Sequence, residues 1–426
     1  MNKFEKQIYD VLVIGGGMAG TFAAIAAGEA GKKVLIVEKN QCLGGTSTSS
    51  MVSELMGVAF HGRKIYGGAV QRYFDTLESN GHAMYNYNVP MSSNPNVHID
   101  RLRCNPEYAK IYLEKMALEA NADILYDAVL VQAEESDDCI ECVVKTAYTE
   151  LTVQCSFLID ATGNASVACK MGLPTFKNDS KALQTSTLII RLGNIEIEKL
   201  QETIKDKSIQ KAVRKGFDSG ILKGRILGFA PIPNTNDTTV NVVNTNIDHE
   251  DPYELTKGLI DTHQQVPSII DFIRENVKGC EHAVLVSIGS TLGIRDARRL
   301  VGTYELTFDD LKNSAKFEDC AALGCYPLDI HDPVTNTVIW EEVKDLYQIP
   351  FRTMYCKESK RVIVTGRAVS ASRDAFAAIR VMPSVMNLGE ASGCLAAVLV
   401  EDHADLSDFN IEHVKELMKQ RKMNVE

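Results

Sequence analysis

Three arginines, Arg295, Arg298 and Arg299, follow a turn bounded by Gly289 and Gly293. A guanidinium group binds a carboxylate through two parallel hydrogen bonds, so this cluster predicts contact with an anion or with a cofactor edge. The alternative is a solvated or domain-bridging charge cluster, and spacing alone does not choose between the two.

A second group with acid–base character lies in the segment 329–332, which reads Asp-Ile-His-Asp. In a strand, Asp329 and His331 share one face, where the carboxylate can fix the imidazole tautomer and leave the other ring nitrogen for proton transfer. A histidine near a turn is more often structural, and that alternative stays open. Arg352 is a further candidate for contact with an anion or a cofactor; otherwise it is a surface arginine where two domains meet.

The elements that must position these groups begin with a β-α-β unit at the N-terminus. Residues 10–14 and 33–37 are apolar and β-branched, which is typical of buried parallel strands. The Ala-rich segment 18–30 between them predicts a helix that ends at Gly31.

The turn between the first strand and this helix has the pattern G-x-G-x-x-G at Gly15, Gly17 and Gly20. Gly15 permits the tight turn, Gly17 lets the backbone approach a diphosphate, and Gly20 lets the helix lie close to the sheet. The first helical turn, with Met18 and Ala19, directs N–H groups at the phosphates. Glu38 ends the second strand and would accept hydrogen bonds from a ribose. The complete unit predicts a dinucleotide site, the alternative being a glycine turn that binds nothing.

Three features favour FAD over NAD as that dinucleotide. A Gly/Thr/Ser loop follows Glu38, the segment 161–163 ends a buried strand far along the chain, and a Gly-Arg turn with a small-residue helix (384–400) returns near the C-terminus. Besides the residues of the first turn and Glu38, the predicted cofactor contacts are Lys39, Gly44, Gly45, Thr46, Ser47, Val129, Ala161, Thr162, Gly163, Gly366, Arg367 and Met386.

The remaining segments of the chain differ in composition and in predicted secondary structure. Residues 51–105 predict loops with short helices, 106–120 a helix capped by Asn105, and 129–134, 139–147 and 150–155 three strands, with a separate apolar run at 157–160. Residues 176–355 carry polar strands and a helix near 267–276. We therefore predict an α/β fold. Its Rossmann-like FAD-binding domain is discontinuous (1–50, 105–175 and 356–426), 51–104 is an interface insert, and 176–355 is a β-rich substrate or cap domain.

Composition narrows the class of protein. With 426 residues, 45% of them apolar, and a formal net charge of -11, the chain reads as a globular enzyme that binds neither nucleic acid nor an anionic membrane. We find no secretory signal and no apolar run long enough to cross a bilayer, and the eleven scattered cysteines suit a reducing, cytoplasmic setting. Cys139 and Cys142 have metal-like spacing but no second pair, so we predict no metal site.

The sequence resembles the FAD-dependent oxidoreductases, more narrowly their xanthan lyase-like group, related to glutathione reductase and to fumarate reductase flavoproteins. The resemblance covers nearly the whole chain and rests on VLVIGGGMAGTFAAIAA, VEKNQCLGGTSTS, FLIDATGNASVACKMGLP, GIRDARRLVGTYELTFDDL, CYPLDIHDP, YQIPFRTMYCK and VIVTGRAVSASRDAFAAIRVMPSVMNLGEASGCLAA. It implies a glutathione reductase-type fold with bound FAD. It also favours catalytic roles for Arg295 and Arg298 ahead of Arg299, and for His331.

Two expected parts of related disulfide reductases are missing. Ser47–Ser50 stand where those enzymes carry a cysteine pair, and no second nicotinamide fingerprint is present. We therefore predict hydride transfer between flavin N5 and a small, anionic metabolite, with a possible external electron donor or acceptor. The alternatives are a non-redox flavoprotein (a lyase, an isomerase or a tRNA-modifying protein) and the flavoprotein subunit of an electron-transfer complex. Substrate identity and oligomeric state stay open.

Overall fold

A computed structural model of the protein describes residues 7–91, 94, 96–179, 182–332 and 338–425. Its helices are α1 (Met18–Glu29), α2 (Gly68–Ser79), α3 (Pro106–Glu119), α4 (Ser166–Lys170), α5 (Ile197–Lys205), α6 (Ser208–Asp218), α7 (Pro252–Asn276), α8 (Phe308–Lys312), α9 (Arg373–Ile379), α10 (Met382–Glu401) and α11 (Ile411–Gln420). Its strands are β1 (Gln7–Ile14), β2 (Val34–Val37), β3 (Glu54–Met56), β4 (Ala59–Phe60), β5 (Arg63–Lys64), β6 (Ala83–Pro90), β7 (His98–Cys104), β8 (Ala122–Leu125), β9 (Val129–Glu135), β10 (Ile140–Lys145), β11 (Glu150–Asp160), β12 (Thr175–Phe176), β13 (Ser186–Gly193), β14 (Gly228–Pro231), β15 (Thr238–Thr245), β16 (Val284–Ile288), β17 (Arg299–Leu300), β18 (Cys320–Gly324), β19 (Leu328–His331), β20 (Val338–Glu341), β21 (Tyr347–Pro350) and β22 (Val362–Val364).

The main sheet has the order β8-β2-β1-β11-β10-β9, with β22 also paired to β11. Strands β8, β2, β1, β11 and β22 run parallel, and their register aligns the last residues Ile14, Val37, Asp160 and Val364 at one edge. Segments far apart in sequence therefore leave the sheet side by side, at the carboxyl edge where α/β folds bind ligands. The predicted β-α-β unit is confirmed. The stretches 150–155 and 157–160, which we expected as separate strands, form the single strand β11.

Helix α10 packs directly against α1 in the main core. A Cβ added to Gly389 would stand 2.1 Å from the carbonyl oxygen of Ala19, and one added to Gly393 would stand 2.1 Å from that of Ala23. The small residues predicted in this helix thus permit backbone contact. By length and composition alone, α10 could cross a membrane, although polar residues such as Asn387 and Glu390 interrupt its apolar sequence. Its apolar window is 94% buried inside the fold, as in a core helix.

The insert 51–104 is more regular than the loops and short helices that its sequence predicts. It contains the 12-residue helix α2 and the antiparallel sheet β3-β7-β6. Of the Asn and Pro residues that indicated loops, Asn86, Asn88 and Pro90 lie on β6, near a register shift between Asn86 and Val89. An edge strand tolerates such residues because its outer N–H groups need no strand partner.

A second antiparallel sheet, β14-β15-β13-β16, forms the centre of the predicted cap region. Helix α7 packs against it and is 25 residues long, so the helix predicted at 267–276 was too short. Its start signals lie upstream, where the side chain of Asp251 accepts from the N–H groups of Tyr253 and Glu254. Pro267 lies inside the helix.

The cap sheet and the main body each have their own hydrophobic cluster. Residues between Leu188 and Leu292 form a cluster of their own. Ala321 and Ala322 of β18 and Tyr347 and Ile349 of β21 belong instead to the large cluster that contains α1 and α10. The later part of 176–355 therefore packs with the main body rather than with the cap sheet.

Candidate functional site

A cavity of about 1200 Å³ extends from the carboxyl edge of the main sheet to the cap sheet. We call its two ends the glycine end, formed by Gly15, Gly17, Gly44, Gly45 and Gly163, and the arginine end, formed by Arg295, Arg380, Tyr326, Asp329 and His331. All ten residues line the cavity.

The glycines of the first turn have three separate structural roles. Gly15 adopts φ +100°, and a Cβ there would stand 2.6 Å from the Ala161 carbonyl oxygen. A Cβ on Gly20 would stand 1.9 Å from the carbonyl oxygen of Gly15. A Cβ on Gly17 would meet no protein atom within 4 Å. Gly15 and Gly20 are thus required by the fold, whereas Gly17 faces open cavity.

Gly17 is also the N-cap of α1 and makes no side-chain capping hydrogen bond. The first N–H groups of a helix have no partner within the helix, and they carry the positive end of its dipole. This turn therefore presents backbone donors to the cavity, as a diphosphate requires.

Glu38 is buried and holds the surrounding backbone. Its Oε2 accepts from the N–H of Gly16 at 2.6 Å, and its Oε1 accepts from the N–H and the side-chain amide of Asn40, both at 2.8 Å. Oε1 already accepts two hydrogen bonds, but Oε2 accepts only one and so keeps acceptor capacity for a ribose. Lys39 and Val129 line the cavity beside it.

The loop 44–47 runs along the glycine end. Gly44 and Gly45 have φ values of +99° and +52°, and Gly44 forms an isolated parallel bridge with Gly17. Thr46 lines the cavity, but Ser47 is buried outside its lining. Of the predicted cofactor contacts, Gly20 and Met386 also lie outside the lining.

Asp160 shapes the turn that follows β11. Its Oδ1 accepts from the Thr162 hydroxyl at 2.6 Å, and its Oδ2 accepts from the N–H groups of Val167 and Ala168 at 3.0 Å. Burial raises the pKa of the Asp160 carboxyl, against the effect of these hydrogen bonds. The carboxyl thereby positions the cavity-lining backbone from Ala161 to Gly163.

Arg367 braces the two ends of the cavity. Its Nε donates to the Gly163 carbonyl oxygen at 2.6 Å, and its Nη1 donates to the carbonyl oxygen of Ile294. Burial, followed by the charge of Arg380, lowers the pKa of this guanidinium to about 10. Arg367, a predicted cofactor contact, therefore uses two of its donors to bind the protein backbone, although its side chain lines the cavity.

At the arginine end, two guanidinium groups come from distant segments. Arg295 donates to the Thr185 carbonyl oxygen at 2.6 Å and to the Thr187 hydroxyl. Arg380, at the C-terminus of α9, donates to the carbonyl oxygen of Asp329 at 3.0 Å. Burial, followed by the charge of Arg380, lowers the pKa of Arg295 to about 10, which leaves it charged at neutral pH.

Asp329 and His331 lie together on β19, as their spacing predicts. Their Oδ1 and Nε2 atoms are 3.2 Å apart, without the alignment of a hydrogen bond. Burial raises the pKa of Asp329, but His331, Arg380 and the Tyr326 hydroxyl, which donates to its Oδ2 at 2.9 Å, bring that pKa below its usual range.

His331 is neutral at physiological pH. Burial and the charge of Arg295 lower its pKa to about 4, and Asp329 only partly opposes them. One ring nitrogen of a neutral imidazole keeps its lone pair, so His331 is able to accept a proton.

The other predicted arginines lie outside the cavity lining. Arg298 donates to Glu250 at 2.7 Å, Arg299 is buried with Asp296 at 3.3 Å, and Arg352 pairs with Asp319 at 3.0 Å while its side chain stays 45% exposed. The structure thus gives these three the domain-bridging or surface positions that the sequence analysis kept as alternatives.

Sequence reasoning missed Arg380, Tyr326 and the charged residues of the insert sheet. Arg380 lies within a segment that carries the family resemblance, but no spacing pattern singles it out as a ligand, and it stands between two buried helices, α9 and α10. Cys142 is buried within β10 and Cys139 is half-buried just before it. Among the described residues, no three His, Cys, Asp or Glu side chains form a metal-binding group.

The glycine end fits an extended dinucleotide. Besides the backbone donors of α1, the buried Oδ1 of Asn164 and Oγ1 of Thr365 have no hydrogen-bond partner in the protein, and both residues line the cavity. Buried polar atoms are normally paired, so these two are suited to a polar ligand.

A family model of FAD dependent oxidoreductases matches residues 10–418. The fold is similar to that of the p-nitrophenol 4-monooxygenase PnpA from Pseudomonas putida, with 10% identity, a TM-score of 0.51, and coverage of 97% of this chain and 84% of that one. It is also similar to a geranylgeranyl bacteriochlorophyll reductase-like protein from Thermoplasma acidophilum, with 12% identity, a TM-score of 0.50, and coverage of 99% and 85%. At these identities the likeness concerns the fold alone. No curated protein sequence matches the chain.

Proposed function

The chain belongs to the family of FAD dependent oxidoreductases, and on that basis we propose that it transfers a hydride between flavin N5 and a small anionic metabolite. It is an enzyme, and its cofactor is FAD. The finer assignments, to a glutathione reductase-type domain and to the xanthan lyase-like group, are part of the proposal.

The glycine end supplies the residues that would hold FAD. The α1 N-terminus at Gly17 would face the diphosphate, Glu38 the ribose, and Thr46 and the turn at Gly163 the middle of the cofactor. Lys39, Val129 and Gly366 complete this set.

The proposal that the substrate is anionic rests on the charge of the cavity. Among the described residues, nine lysines and arginines but three aspartates and glutamates line it, although the whole chain has a formal net charge of -11. Such a contrast focuses positive potential inside an acidic protein and attracts small anions.

Bound FAD supplies the two-electron acceptor or donor. In the oxidising direction the substrate loses a hydride from carbon and a proton from oxygen or nitrogen. Arg295 and Arg380 hold and orient the anionic group, and neutral His331 accepts the proton. Because Nε2 of His331 contacts Asp329, its Nδ1 is the nitrogen left for the substrate.

Anaerobic spectroscopy of the purified holoprotein tests this function. Small carboxylates are added one at a time while the flavin absorbance is followed, with uncharged esters of the same acids as controls. We expect bleaching by an acid and none by its ester. Bleaching by the esters at equal rates would contradict the role of the arginines. Turnover without any bleaching would favour a lyase or isomerase, and bleaching that needs a protein partner would favour an electron-transfer subunit.

A further inference from the structure

One face of the insert sheet β3-β7-β6 forms a wall of the cavity. Strand register places Glu54 and Met84 on either side of Arg103, and Met56 and Asn86 on either side of Arg101. All six side chains line the cavity. We call this set the insert face.

The opposite face of the same sheet is apolar and belongs to the main core. Leu55, Leu102 and Tyr85 stand opposite one another in the register, and all three are in the large hydrophobic cluster. Since a one-residue slip would exchange the two faces, core packing fixes which residues point into the cavity.

The insert face has two positively charged side chains and one negatively charged side chain, so its net charge is positive. Oε1 of Glu54 contacts Nη1 of Arg101 at 2.8 Å and Nε of Arg103 at 3.0 Å, so one carboxylate serves two guanidinium groups. Nε of Arg101 and Oδ1 of Asn86 are buried without a hydrogen-bond partner. Burial lowers the pKa of Arg101, a sign that its charge lacks full compensation.

The arginine end has the same charge balance. Arg295 and Arg380 face one carboxylate, that of Asp329, beside the neutral His331. Tyr326 stands between the two sets, since its hydroxyl bonds Asp329 at 2.9 Å and contacts the Met56 sulfur at 3.4 Å.

We infer that the insert face binds a second carboxylate of the substrate, which is therefore a dicarboxylate with an apolar spacer. This inference rests on the proposed function and names its substrate class. The sulfur of Met56 lies 3.4 Å from the Tyr326 hydroxyl, and Met56 stands opposite Arg101 on a strand about 5 Å away, so the two charged sets are separated by a distance on the order of 10 Å. A chain of several carbons covers that distance, and Met56, Met84 and Tyr326 provide its apolar surroundings.

The charge balance selects a carboxylate over a phosphate. One uncompensated guanidinium matches a single negative charge, whereas a phosphate monoester carries about 1.5 to 2 negative charges at neutral pH. The planar fork of Arg101 also suits the two oxygens of a carboxylate.

The sole tryptophan of the chain, Trp340, reports on this part of the cavity. It lines the cavity, and its ring lies 6.2 Å from that of Tyr326 in an edge-to-face arrangement. Trp340 emission of the oxidised holoprotein is titrated with glutarate, adipate and suberate, and with the matched monocarboxylates pentanoate, hexanoate and octanoate. We expect at least one dicarboxylate to bind ten or more times as tightly as its matched monocarboxylate.

Two variants assign that preference to the insert face. Arg101→Met leaves Glu54 paired with Arg103, and Asn86→Asp adds a negative charge without a change in size. In both we expect the preference to fall to about twofold or less with FAD content unchanged, whereas Arg63→Met, an exposed arginine of the same insert, keeps it.

Each other result is decisive. Equal affinity for the two acid series, a preference retained in both variants, or loss of FAD from Arg101→Met would overturn the inference. A dicarboxylate preference without flavin bleaching by any acid would leave the binding site standing and remove the proposed function. Flavin bleaching by monocarboxylates, without tighter binding of any dicarboxylate, would support the proposed function and overturn the inference of a second carboxylate site.

Discussion

The two ends of the cavity are built from different parts of the polypeptide. At the glycine end the site is formed by backbone groups and by glycines, which leave room for a ligand. The turn at Gly15 and Gly17 belongs to one continuous β-α-β unit. At the arginine end, side chains make the site, and Arg295, Asp329 and Arg380 come from three separate segments. The first end is suited to a cofactor shared by many enzymes, and the second to one particular substrate.

This difference predicts that the two ends fail separately. Changes at the glycine end should alter folding or FAD content, and changes at the arginine end should alter substrate binding and rate with FAD retained. Each variant below tests one side of that separation.

The largest effect is expected for His331→Asn at the arginine end. A positioned general base contributes about 100-fold or more to the rate, so we expect flavin reduction at saturating substrate to slow by about that factor. Stopped-flow absorbance under anaerobic conditions measures it, with FAD content as the control. A slowing of less than threefold would make His331 a structural residue.

At the glycine end, Gly20→Ala and Gly17→Ala separate packing from ligand contact. A Cβ at position 20 meets the Gly15 carbonyl oxygen at 1.9 Å, so we expect the apoprotein to lose about 3 kcal/mol of unfolding free energy, the upper range for overpacking.

A Cβ at position 17 meets no protein atom, and φ there is -65°, so apoprotein stability should stay within about 0.5 kcal/mol. Its FAD affinity should fall at least tenfold, because the methyl group occupies the space of the diphosphate. Urea denaturation and FAD titration measure the two quantities. Unchanged FAD affinity in Gly17→Ala would remove the cofactor from this turn.

The pH dependence of stability tests the buried state of His331. Its pKa is about 4 in the folded protein, below the ordinary value of 6.5, so the unfolded chain binds the proton more readily. The stability contributed by neutral His331 is complete above pH 6.5 and is lost as the pH falls toward 4, by at most about 1.4 kcal/mol per pH unit. We expect the wild type to lose unfolding free energy more steeply than His331→Asn over this window. Parallel curves would mean that His331 titrates normally.

The smallest effect is expected for Arg352→Gln. This arginine was a candidate from sequence, but it pairs with Asp319 at 3.0 Å outside the cavity lining. An exposed ion pair contributes about 0–1 kcal/mol, and we expect flavin reduction to stay within about twofold of the wild type. A tenfold slowing of flavin reduction would support the catalytic role that the sequence analysis predicted for Arg352.

The glycine end was largely predictable because its signals are local. The strand, the glycine turn and Glu38 lie within thirty residues, and each residue type has one physical reason for its place. The arginine end was predictable only in part. Asp329 and His331 share a strand face by period, but whether Arg295 or Arg298 reaches the cavity depends on Thr187 and Glu250, which are distant in sequence. The insert face was missed because Asn86, Asn88 and Pro90 on β6 indicated loops, and because nothing local in the sequence pairs β3 and β6 with β7.

The most direct test of the separation compares Gly17→Ala with Arg380→Met in matched preparations, measuring FAD content and substrate-dependent bleaching in each. Arg380→Met removes a cavity cation whose Nε has no partner in the protein. We predict that Gly17→Ala loses FAD, and that Arg380→Met keeps FAD at the wild-type level but bleaches at least ten times more slowly at low substrate. Loss of FAD from Arg380→Met, or unaltered bleaching by it, would contradict the account.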